Sequence, residues 1–169
     1  MQQGQATVAM RDLETGVLQC QGKGGVDSQP ANLWQLLIRM VELYGRQGQF
    51  DAALRVAHDA LKSAERISAK AGEARAYELL GEMVAGASTA HRTKAVQALR
   101  QVGDRQGQAR LLLVLGAEAF GEGNTTLALD RLHTARDLAR AIGWAEGAER
   151  AAKLATAILV LGVPLIDAV

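Results

Sequence analysis

Apolar side chains recur at three- and four-residue spacing through most of this chain. Leu33, Leu36, Leu37, Met40, Val41 and Tyr44 share one helical face, and Phe50, Ala53, Leu54, Ala57, Ala60, Leu61 and Ala64 share one face of the next helix. The break between them, "GRQGQ" at 45–49, is short enough that the two helices must be antiparallel neighbours. Small alanines on the second stripe let two helix backbones come close. Asp27 or Ser28 is placed to cap the first helix, with Pro30 in its first turn, where a missing N–H costs little.

The same pattern returns further along. Gly72, Ala74, Arg75, Leu80 and Gly81 match Gly107, Ala109, Arg110, Leu115 and Gly116 at a step of 35 residues. Ala53, Leu54, His58, Ala60, Ala64 and Ile67 match Ala128, Leu129, His133, Ala135, Ala139 and Ile142 at a step of 75. A step of 40 then carries Gly103, Gly107 and Arg110 onto Gly143, Gly147 and Arg150. Agreement among separate landmarks is the signature of an internal repeat. The unit from about Glu73 to Val102 is five residues short. Placing Ala95, Leu99 and Val102 in the slots of Ala135, Ala139 and Ile142 puts the deficit in "AGASTAHR" and predicts a stubby return helix. "WAEGAERAAKLATAILVLG" (144–162) supplies a last helix with no partner after it.

Helix pairs with Leu, a small residue, an aromatic and then two alanines at fixed offsets resemble the tetratricopeptide repeat. Leu112, Leu115, Gly116, Ala119, Ala128, Leu132 and Ala135 fit that pattern, as do Leu37, Met40, Val41, Tyr44, Ala53, Ala57 and Ala60; the middle unit keeps Tyr77, Leu80, Gly81 and Val84. Tryptophan is absent from the first slot, the closing proline is absent throughout, and the step of about 40 residues is longer than the usual 34 or so. The spacing looks like the longer-helix subtype of signalling adaptors and some bacterial regulators. The expected fold is all-α, an α-solenoid of about three antiparallel helix pairs with a C-terminal capping helix, since one pair cannot bury its apolar face alone. Residues 30–162 form the repeat domain on this reading and 163–169 a tail. Residues 1–29 stand outside the repeat, and their Gln- and Gly-rich composition predicts a flexible arm, with a short hairpin around "LETG" as the alternative.

Composition narrows the function. Nineteen Lys and Arg against 18 Asp and Glu leave a net charge of +1, which provides no field to gather nucleic acid or an anionic membrane. A single cysteine, Cys20, rules out an intrachain disulfide and fits a reducing, cytoplasmic setting. The N-terminus lacks the basic and apolar regions of a secretory signal. "LATAILVLGVPLI" is too short for a spanning helix and is interrupted by Gly162 and Pro164.

Nothing in the sequence converges as catalytic groups must, so the chain is expected not to be an enzyme and to need no cofactor. "GVLQCQGKGG" misses the phosphate-loop spacing and has Gly24 where Ser or Thr is required. His58 and His133 read as helix-surface histidines and His91 as a solvated loop residue, and no metal-binding spacing occurs.

By resemblance, the first helix of each pair lines a concave groove. That implies Gln35, Arg39, Glu42, Arg46, Arg75, Glu78, Glu82, Arg110, Leu113, Ala117 and Phe120 as the partner-binding residues. Arg39, Arg46, Arg75 and Arg110 suit an acidic peptide, because a guanidinium donates two parallel hydrogen bonds to a carboxylate. Reversing Arg75 and Arg110 together is then expected to abolish binding and leave helicity intact. Phe120 is either an exposed anchor or a core residue against Leu127. The expected function is an adaptor or scaffold holding a peptide or partner helix. The alternatives are a sensor of a small ligand or signalling peptide, and a self-assembling element. The apolar Ile158, Leu159, Val160 and Leu161 require cover, from "GVPLIDAV" folding back, from a second copy making a homodimer, or from further repeats. "DAV" also resembles a PDZ-type terminal ligand.

Overall fold

The computed structural model describes residues 2–21, 32–84 and 88–161. The described residues form eight α-helices and no strand: α1 (Gln2–Gln21), α2 (Leu33–Arg46), α3 (Phe50–Arg66), α4 (Lys70–Met83), α5 (Ser88–Val102), α6 (Arg105–Gly121), α7 (Thr125–Ala141) and α8 (Ala145–Leu161). The protein is all-α, and the chain divides into two compact units, Met1–Ala98 and Leu99–Val169.

Each unit contains the same triad. In the first, α3 packs on both α2 and α4, which also touch one another; in the second, α7 does the same between α6 and α8. The step of 75 residues carries the bounds of α3 onto those of α7, the end of α2 onto the end of α6, and the start of α4 onto the start of α8.

The turns explain why the register is so strict. Gly48, Gly103, Gly123 and Gly143 have positive φ, between 72° and 81°. In each case the next residue's N–H reaches back to a carbonyl in the last turn of the finished helix: Gln49 to Tyr44, Asp104 to Leu99, Asn124 to Ala119 and Trp144 to Ala139, at 2.8–3.0 Å. A left-handed residue after the helix satisfies otherwise orphaned carbonyls, and glycine adopts that conformation without a Cβ penalty. Asp104 and Asn124 then begin the following helix, accepting hydrogen bonds from the N–H groups of Gly107 (2.8 Å) and Leu127 (3.1 Å).

The turn between α3 and α4 is the exception, because Ser68 holds the left-handed position at φ 54°. Ala69 N–H still reaches Ala64 at 2.9 Å, so the turn forms under strain. Ser68→Gly should therefore stabilise the protein, by up to about 1 kcal/mol once the greater entropy of the unfolded glycine chain is set against a left-handed penalty of about 1–2 kcal/mol. Urea unfolding would show it as a raised midpoint with unchanged slope; no gain would mean that Ser68 is unstrained.

The cores follow the stripes read from the sequence. Ala53, Ala57, Ala60 and Ala64 are fully buried on α3, as are Ala128, Leu132 and Ala139 on α7. Phe50, expected to face inward with them, is instead the first residue of α3 and is 63% exposed.

Three further expectations change. Residues 2–21 form a helix, not a flexible arm or a hairpin, because Met10, Leu13, Val17 and Cys20 repeat at three- and four-residue spacing and pack on the core of α2. The first repeat helix starts at Leu33 after Asn32, whose side chain makes no capping bond; Asp27, Ser28 and Pro30 lie outside the described residues. His91, expected in a loop, lies within the short unit's return helix α5, which at 15 residues against 17 for α3 and α7 is the shorter one as expected. The tail from 162 onward, with its fold-back, and the glycines at 22, 24 and 25 also fall outside the described residues.

Candidate functional site

Gly81 and Gly116 show how the first helix of each pair is held. A Cβ on Gly116 would lie 2.8 Å from Leu132 Cγ, and one on Gly81 would lie 2.8 Å from Arg92 Cγ. Such contacts fix the depth at which α7 meets α6 and α5 meets α4, and so fix which side of α4 and α6 remains open.

On α2, Gln35, Arg39 and Glu42 border a hollow beside Trp34 and Ile38, and Arg39, Glu42 and Arg46 border another against Asp12 and Leu13 of α1. On α4, Glu82 is exposed and Arg75 is committed to a network. Its Nη2 donates to Glu42 Oε1 at 2.8 Å and its Nη1 to Glu78 Oε2 at 2.9 Å, tying α4 to α2. Burial works against the Arg75 charge, but the hydrogen bonds and charges of Glu42 and Glu78 outweigh it and hold the guanidinium above its ordinary range. Glu78 is only 6% exposed, whereas the Arg75 and Glu42 side chains are about a third exposed, so this is a half-buried tie between the two helices.

The same helix carries a second polar cluster. Tyr77 stacks on His91 with centroids 6.2 Å apart, has Lys94 Nζ 5.3 Å from its ring centre, and donates its hydroxyl to Glu65 at 3.3 Å. Burial, then the Glu65 and Glu73 carboxylates, push its phenol up. His91 is thus a half-buried packing residue, in contrast to the solvated position expected, whereas His58 and His133 are exposed. Among the described residues no group of three or more His, Cys, Asp or Glu side chains could hold a metal ion, and no helix is long and apolar enough to cross a membrane.

In the second unit α6 and α8 enclose an open groove of about 720 Å³. Its floor is apolar: Leu113, Val114 and Ala117 from α6, Leu154 from α8, and Trp144 from the turn before α8. Arg110, Glu118, Glu146, Glu149, Arg150 and Lys153 form the rim. Glu149 accepts from Lys153 at 2.6 Å, which holds its carboxyl below the usual range although both side chains are largely exposed.

Of the residues expected on the groove, α6 thus brings Arg110, Leu113 and Ala117 together, with Leu113 buried in the floor at 5% exposure. Phe120 lies elsewhere, half-buried with Leu127 against the core that includes Leu132. The α8 wall is absent from the sequence-based expectation. Its signal is the matched pair Arg110 and Arg150, which marks 144–162 as a further first helix and not only a cap.

Two triads of this kind define an all-α protein of repeated helix pairs. No protein-family model matches the chain, and no curated protein matches it. Among solved structures, the crystal structure of BtubC (BKLC) from P. vanneervenii is similar, with a TM-score of 0.68 at 14% sequence identity over 99% of this chain and 78% of that one. At that identity the likeness is one of fold.

Proposed function

We propose that this chain is a tetratricopeptide-like adaptor that binds a peptide or partner helix in the groove between α6 and α8. The observation that carries the reading is the groove's make-up: an apolar floor, with Val114 39% exposed and Ala117 open to solvent, inside a charged rim. Apolar floors give affinity and charged rims give selectivity.

The test is to pan the whole chain against a random peptide library displayed on phage and to measure the selected peptides on Val114→Arg. A long cation at an already exposed position blocks the floor without disturbing the core, so affinity should fall at least about tenfold with unchanged circular dichroism. Peptides that bind Val114→Arg and the parent equally would refute the groove. A second reading, self-assembly, draws on Leu159 and Val160, which are 53% and 71% exposed at the end of α8. Mass that rises with concentration in solution would favour it.

A further inference from the structure

The two triads are built alike, so a difference between them at one register position is informative. In the first unit Arg75 on α4 stands between two carboxylates, Glu78 one turn on and Glu42 across on α2. Seventy-five residues later the arginine is kept as Arg150 on α8, but Glu42 is replaced by Ala117 on α6 and Glu78 by Lys153. One carboxylate has been cut back to a methyl group and the other has reversed its charge. Ala117, Arg150 and Lys153 all line the α6–α8 groove. Lys153 is held by Glu149, whereas no ion pair engages Arg150 among the described residues.

The outer helices of both triads touch and share their register, so the space filled by the Glu42 side chain in the first unit corresponds to the open space above Ala117 in the second. A guanidinium there lacks the partner that the same scaffold supplies elsewhere. We propose that the groove takes a partner segment bearing a glutamate or aspartate side chain, whose carboxylate occupies the place of Glu42 and pairs with Arg150, while an apolar neighbour rests on Val114 and Leu154. This rests on the groove reading given under Proposed function. Three cations and three carboxylates share this rim, so it offers no excess positive charge for a multiply charged group, and a single carboxylate placed on Arg150 is what it suits.

Two measurements test it, the first needing no ligand. Ala117→Glu restores the missing carboxylate from within, and glutamate and glutamine have nearly equal helix propensity. Ala117→Glu should melt about 2–4 °C above Ala117→Gln, and the difference should vanish when both carry Arg150→Gln. Equal melting with Arg150 in place would overturn the proposal, because the guanidinium would then be out of reach.

The second uses the C-terminally amidated forms of the phage-selected peptides that Val114→Arg rejects. Changing their acidic residue to its amide, or Arg150→Gln in the protein, should each weaken binding about tenfold, and the two together little more than either alone. Binding that is indifferent to both changes would overturn the carboxylate assignment and leave the groove reading standing. Loss of binding on amidation alone would place the carboxylate at a chain terminus and overturn the side-chain assignment. Peptides indifferent to Val114→Arg would instead remove the groove itself.

Discussion

Leu132→Ala should cost about 4–5 kcal/mol, at the upper end of what a buried leucine deletion removes. Leu132 is fully buried on α7 where that helix crosses α6 over Gly116, and its cluster contains Leu113, Ile158 and five alanines, Ala119, Ala128, Ala135, Ala151 and Ala155, with Phe120, Leu127 and Trp144 packed against it. Alanines have no side-chain torsion with which to swing into a void, so a cluster in which they outnumber the larger buried side chains five to two fills less of the space left by the leucine. Leu80 is equally buried on α4, but in its cluster the larger side chains, Leu33, Leu37, Ile38, Met40 and Leu79 among them, outnumber the alanines Ala53, Ala57, Ala60 and Ala76 and can relax; Leu80→Ala should cost less, about 2–3 kcal/mol. Urea unfolding of both variants checks the order, and equal losses would mean that the alanine-lined site collapses after all. Gly116→Ala is coupled to the same contact, since its new methyl would meet Leu132 Cγ at 2.8 Å. Combined with Leu132→Ala it should lose less than the two single changes added together.

The same contact shows how much of the fold is legible in the sequence. Alanine at 53, 57, 60 and 64 and again at 128, 135 and 139 is a local pattern, and it specifies α3 and α7 because each helix buries one narrow stripe on immediate chain neighbours. The turns are legible for a similar reason, glycine being favoured where the backbone turns left-handed. α1 is not, because Gly4 and Gly16 and the glutamines dilute a stripe of Met10, Leu13, Val17 and Cys20 that becomes decisive only when α2 lies beneath it. Gly16 itself is in close contact there, since a Cβ would come 3.2 Å from Leu36 Cδ1. The groove is half legible. Register finds the α6 residues, but which of two equivalent arginines is spent on internal partners depends on residues 33 positions away in sequence, Glu42 for Arg75, and single-helix periodicity carries no such information.

Arg75 and Arg150 should therefore respond very differently to charge reversal. On the sequence alone, reversing Arg75 is expected to be silent for folding; with Glu42 and Glu78 at 2.8 and 2.9 Å, Arg75→Glu instead brings a third carboxylate into a half-buried site. Two charge-assisted hydrogen bonds are lost and repulsion replaces them, so even with a discount for the partial exposure of Arg75 the loss should be about 3 kcal/mol. Adding Glu42→Arg to Arg75→Glu rebuilds an opposite-charge pair between α2 and α4 and should recover part of the stability. Arg150→Glu, at the matching register on α8 with no ion pair to break among the described residues, should change stability by less than about 1 kcal/mol. Thermal and urea unfolding of the parent and these three variants separates the outcomes. If Arg75→Glu and Arg150→Glu were equally mild, the Arg75 network would be a surface contact, and the contrast between a satisfied arginine in one triad and an available one in the other would disappear with it.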